Sequence, residues 1–111
     1  MLKECKLALR ITADAYDGEL CSLMDAAAHD LTIAGVTLPG TVAFAVTQSG
    51  ITDSSTLTDA LCMRAIFTYV RMHFGSPNDY ERLKESYSIQ KTQLMHATGY
   101  TDYGGTESDA E

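Results

Sequence analysis

Between positions 20 and 31 the apolar residues Leu20, Leu23, Met24, Ala27, Ala28 and Leu31 recur in steps of three and four. That spacing keeps one stripe of a helix, at about 3.6 residues per turn, pointed at a core. Asp17 and Glu19 fall in the first turn, where the helix dipole favours negative charge, and Gly35 stands where a left-handed residue ends a helix. The spacing predicts a helix over residues 16–34. Such a stripe is stable only when other elements cover it, so the rest of the chain must supply them.

Three further segments do. Leu2, Cys5 and Leu9 predict a short first helix over residues 2–9. A third helix is expected to begin near Thr56, where Thr56-Leu57-Thr58-Asp59 resembles a capping box with Asp in the Glu position. Leu57, Ala60, Leu61, Ala65, Tyr69 and Met72 mark one apolar stripe on it, and Ile66, Val70 and Phe74 mark a second beside it, so this helix is expected to be central. Phe74-Gly75 is its stop. Ser76-Pro77-Asn78-Asp79 places a cap residue before a proline at the first helical position and opens a fourth helix. Tyr80, Leu83, Tyr87, Gln90 and Leu94 share its face, and Thr98-Gly99 ends it. The expected fold class is all-α, a small bundle of about four helices.

Two stretches depart from this pattern. Residues 36–55 are too many for an ordinary helix–helix connection, and long links of this kind are often functional. Within them Val42, Phe44 and Val46 alternate with Ala43, Ala45 and Thr47 ahead of the turn signal Gln48-Ser49-Gly50, which leaves room for a short β-hairpin. Such an apolar strand either folds back on its own core, adds to another chain's sheet edge, or lines a partner contact. Residues 104–111 are polar and acidic, with too little apolar area to order alone, and are expected to form a disordered acidic tail after a helical domain of residues 1–103. Tyr100 and Tyr103 are the natural anchors should a partner hold that end.

The length of 111 residues suits one domain with one modest core and no large internal site. The formal net charge of −7 argues against a nucleic-acid binder held by phosphate contacts, though not against a protein that surrounds DNA. Asp102, Glu107, Asp109 and Glu111 lie in the last ten residues, which hold no Lys or Arg, so part of that charge belongs to the tail. No apolar run approaches the length of a membrane span, and Met1 to Lys6 lacks the apolar centre of a signal peptide, so synthesis inside the cell is expected.

Catalytic and metal signatures are missing. Cys5, Cys21 and Cys62 are odd in number, widely spaced and without a CxxC, and read as buried reduced thiols. His29, His73 and His96 fall near the ends of different helices without ligand spacing, so no metal is expected. Cys62 and His73 are separated by about 16 Å along one helix, too far to act as nucleophile and base. No nucleophile elbow, phosphate loop or carboxylate pair is present, and neither catalysis nor a cofactor is expected. Arg64 and Arg71, two turns apart, share one face of the third helix, with Arg82, Lys84 and Lys91 on the fourth. They serve either a neighbouring subunit or a solvated face with local pairs such as Glu81–Lys84.

Tyr16-Asp17-Gly18-Glu19-Leu20, Ala26-Ala27-Ala28-His29-Asp30-Leu31 and Ala34-Gly35-Val36 resemble the opening of phage head–tail connector (adaptor) proteins, also catalogued as phage DNA-packaging proteins. The second half is more specific. Ala60-Leu61 through Tyr69, then the run from His73-Phe74-Gly75-Ser76-Pro77 to Leu83-Lys84, then Ser86-Tyr87, Gln90-Lys91 and Ala97 to Asp102, are similar to the same family. Residues 37–55 and 104–111 lie outside the resemblance. It implies a four-helix structural subunit of the virion, forming a ring, commonly a dodecamer, beneath the portal protein. One face would dock on the portal and the other on a stopper or tail-completion protein, with double-stranded DNA passing through the channel and no cofactor required. The candidate contact residues are Val42, Phe44, Val46, Arg64, Arg71, Tyr100 and Tyr103. The alternative is a small helical module acting on a host protein, for which the acidic surface and tail are the motive.

Overall fold

A computed structural model describes residues 1–75 and 78–96. Four helices run in the order α1 (Leu2–Leu9), α2 (Asp17–Ile33), α3 (Ala60–His73) and α4 (Tyr80–His96). A two-stranded antiparallel sheet, β1 (Phe44–Thr47) and β2 (Gly50–Asp53), stands between α2 and α3. The chain is thus mostly helical rather than purely so, and the hairpin for which the alternation at 42–47 left room is present. The expected stop at Thr98-Gly99, the tyrosines Tyr100 and Tyr103, the tail and the Ser76-Pro77 opening of α4 lie outside the described residues.

The core forms where the helical stripes meet. Leu20, Met24 and Leu31 of α2 and Ile66 and Val70 of α3 are fully buried, joined by Leu83, Tyr87 and Leu94 of α4 and by Cys5 of α1. α3 packs against both α2 and α4, which fits its broad apolar arc. The helix ends follow local rules. At the end of α2, Gly35 takes φ +102°, its N–H donates to Thr32 O at 3.0 Å, and Val36 N–H donates to Leu31 O at 3.0 Å. This double bond pattern closes the helix and seats Val36 in the core. α1 ends the same way, but with Arg10 at φ 59° in the left-handed position, a conformation that costs a side-chain-bearing residue about 1–2 kcal/mol. Lys6 then bridges to Asp14 and Asp17 at 2.8 and 2.9 Å, tying α1 to the entrance of α2.

Several boundaries differ from expectation. α2 begins at Asp17, after a tight 3-10 turn over Asp14–Tyr16. α3 begins at Ala60 and not near Thr56, because Asp59 is its cap: the Asp59 carboxylate accepts from Cys62 N–H at 3.0 Å. Thr56 is occupied elsewhere, its hydroxyl accepting from Thr41 N–H at 2.8 Å. Leu57 is buried from the extended chain before the helix, while Leu61 is 54% exposed; of the expected stripes Ala65, Met72, Ile66 and Val70 are buried, joined by Cys62. Phe74 is half-buried at the end of α3, edge-on to Tyr16 with ring centroids 5.3 Å apart.

The segment from 36 to 59 is not an open loop. Beyond the ladder that pairs Phe44 with Asp53 and Thr47 with Gly50, its two arms stay zipped. Ser54 N–H donates to Ala43 O at 3.0 Å, and Thr56 and Leu57 N–H both donate to Thr41 O at 2.9 and 3.1 Å. At the base Gly40 passes so close to the other arm that a Cβ there would lie 2.6 Å from Leu57 Cα. Asp53 fastens the hairpin to α1: its carboxylate lies 2.7 Å from the Met1 ammonium and accepts from Leu2 N–H at 2.8 Å. Partial burial opposes ionisation of Asp53, but the ammonium, Leu2 N–H and Ser55 outweigh it and hold the carboxyl down at about 2.

Three outcomes follow from this packing. Gly40→Ala should lower stability by about 1–3 kcal/mol, since backbone rather than a flexible side chain obstructs the methyl group; chemical denaturation checks it. Phe74→Ala should cost about 1–2 kcal/mol, well below the about 3–5 of a fully buried ring. Because the Asp53 carboxyl is lowered from 3.8 to about 2, its stabilisation is complete above pH about 4 and is lost as the pH falls toward 2. Melting curves should therefore show the gap between the wild type and Asp53→Asn closing across that window.

Candidate assembly surface

The hairpin presents its apolar residues unevenly. Phe44, Val46 and Ile51 share one face of the ribbon, Val46 standing directly opposite Ile51. Val42, Phe44 and Ile51 pack against the edge of the core. At the tip Val46 is 78% exposed. Of the three fates open to the strand, folding back is thus realised for Val42 and Phe44, while Val46 is left facing outward. Thr47 and Ser49 close the turn, the Thr47 hydroxyl donating to Gly50 O at 2.9 Å, so the tip is held by its own bonds.

A second surface lies between α3 and α4, where the end of α1 meets them. Arg64, Arg71 and Arg82 stand along one shallow groove whose apolar floor includes Met63 and Phe67. The two-turn spacing does bring Arg64 and Arg71 to one face, but their surroundings differ. Arg71 donates to Ala8 O at 2.6 Å, latching α3 to the end of α1. Arg82 pairs with Asp79, 2.5 Å away at the start of α4, so the local pair on that helix is Asp79–Arg82. The Arg64 side chain is exposed and has no hydrogen bond or ion pair among the described residues. Met63, Arg64, Phe67 and Arg71 recur in helical steps, a signal that could have revealed the mixed basic and apolar character of this face.

The third cluster is structural and was not visible in the sequence. Tyr87 donates its hydroxyl to Asp30 Oδ2 at 2.5 Å, Lys91 Nζ lies 3.3 Å from the same oxygen, and the Tyr69 ring stands edge-on to Tyr87. Burial, followed by the Asp30 carboxylate, pushes the Tyr87 hydroxyl above its usual range. A phenol so held keeps its proton and serves as a donor joining α4 to α2. No sequence spacing connects positions 30 and 87.

The cysteines and histidines that could carry chemistry lie apart among the described residues. Cys5, Cys21 and Cys62 are free and buried, and burial pushes their thiols up to about 12, 11 and 12. Thiols so shifted stay protonated at neutral pH and are poor nucleophiles. His73 stacks on Tyr69 with centroids 4.4 Å apart, and His29 sits beside Asp25 of its own helix. Among the described residues no three His, Cys, Asp or Glu side chains are grouped to hold a metal ion, and no helix is long and apolar enough to cross a membrane. The features left over among the described residues are an exposed apolar residue at the hairpin tip and a groove lined by three arginines.

No curated protein and no solved structure matches the chain. A family described as phage connector protein matches residues 1–101. The match runs through residues 37–55, which the resemblance of individual motifs had left out, so the hairpin segment falls inside the family's span. Covering all four helices and nearly the whole chain, it shows that this protein belongs to the phage connector protein family.

Proposed function

We propose that this chain is a structural subunit of a tailed-phage virion that forms a ring at the head–tail junction, below the portal protein. The family match over residues 1–101 is the observation that carries the reading. In this account the ring, most simply a dodecamer, docks one face on the portal and offers the other to a stopper or tail-completion protein. Double-stranded DNA passes through the channel without specific binding, and the subunit catalyses nothing and needs no cofactor. It is made in the host cytoplasm and ends in the particle.

Physical features support this. A ring of identical subunits requires a patch on each copy that meets a different patch on the next. The Arg64 groove and the Val46 tip are two such unlike patches on one molecule. The net charge of −7 opposes adhesion to phosphates, which suits a conduit that must release DNA. Folding uses the core fully, so partners are met by surface side chains and not by an internal cavity.

Mass photometry of the full chain, alone and with a portal protein from the same phage, tests the proposal. Closed rings, either free or assembled on the portal, are the expected result. A strict monomer with no affinity for the portal would overturn it, and recovery of a host protein as the tight partner would replace it with the host-directed alternative.

A further inference from the structure

We propose that the groove between α3 and α4 is a docking site for the acidic C-terminal segment, residues 97–111, of a neighbouring copy of this chain. The inference rests on the ring reading for its second copy, and the groove itself supplies the chemistry. Three of the eight Lys and Arg residues of an otherwise acidic chain, Arg64, Arg71 and Arg82, line it, against one carboxylate, Glu4, which is paired with the Met1 ammonium at 2.9 Å. Arg71 and Arg82 are held by Ala8 O and Asp79, which orients their guanidinium groups, while Arg64 keeps its charge unpaired among the described residues. Gln90 on the same wall carries a buried Oε1 without a hydrogen-bond partner among the described residues.

The occupant follows from complementarity. After Lys91 the chain contains no Lys or Arg, and Asp102, Glu107, Asp109 and Glu111 are spread over its last ten residues. Tyr100 and Tyr103 precede most of these charges. Their rings match the half-buried Met63 and Phe67 of the floor and offer faces to the arginines. Fifteen residues beyond His96 reach at most about 50 Å, enough to cross from one subunit to the next. A groove on one copy and an arm from another also form a heterologous contact, the kind that closes rings.

Two full-length variants test the contact. One neutralises the arm with Asp102→Asn, Glu107→Gln, Asp109→Asn and Glu111→Gln; the other reverses the groove with Arg64→Glu and Arg82→Glu. Analytical ultracentrifugation should show each variant failing to form rings alone, while their mixture forms dimers, since one intact groove then meets one intact arm. A fluorescein-labelled peptide of residues 97–111 should bind the arm-neutralised chain, more weakly as salt rises. Groove reversal should weaken it at least about tenfold, at about threefold per exposed charge contact removed or made repulsive. Arg64→Lys, which keeps the charge, should retain most of the binding.

Unchanged rings from the arm-neutralised chain would overturn the proposal and leave the ring reading intact. Peptide that binds the arm-neutralised chain but is excluded from dilute wild-type monomer would also overturn it, because the arm would then occupy its own groove. Arg64-dependent binding of the peptide to a wild-type chain that never forms rings would uphold the contact and remove the ring.

Discussion

Ile66 and Val70 are buried between α2 and α4, and the remaining elements depend on that placement. α3 has only fourteen residues, yet it packs against both neighbours. Leu20, Met24 and Leu31 cover it from one side, and Leu83, Tyr87 and Leu94 complete the core. In a core this small, folding must offset chain entropy with almost all the apolar area available. Polar links then join the outer helices: Asp30 of α2 receives Tyr87 and Lys91 of α4, and Arg71 of α3 holds the end of α1.

The hairpin is the second constraint. A twenty-six-residue excursion between two helices would ordinarily fray, because it adds little burial for the entropy it loses. Here its arms are joined by Thr41, Ala43, Ser54 and Thr56, Gly40 lets them meet closely, and Asp53 fixes the far strand to the start of α1. The result is a projecting element with an ordered base and an exposed apolar tip. Such an arm can meet a partner without first paying the full entropy of ordering.

Much of this architecture was legible from apolar spacing. Leu2–Leu9 and the stripe from Leu20 to Leu31 emerged because each is amphipathic along its whole length, and Gly35 marked its helix end because a left-handed residue is needed there. The start of α3 was misread because Thr56 and Asp59 both fit a cap, and only the pairing of Thr56 with Thr41 across the hairpin decides between them. Leu61 was assigned to the core on spacing alone, although a helix offers several stripes and only its neighbours select one. The groove was half visible: the spacing of Arg64 and Arg71 placed them together, whereas Arg82 joins them only through the antiparallel packing of α3 and α4. The Asp30–Tyr87 link, spanning two elements far apart in sequence, had no local signal.

The interior holds four helices and a hairpin together, and the proposed ring contacts fall on the groove and the hairpin tip at the surface. A cryo-electron microscopy reconstruction of the head–tail junction in particles of the phage encoding this chain tests that account most directly. It predicts a ring of copies of this fold directly below the portal, coaxial with the DNA channel. Particles in which the chain is missing from the junction, or bound there as isolated copies that do not touch one another, would contradict it.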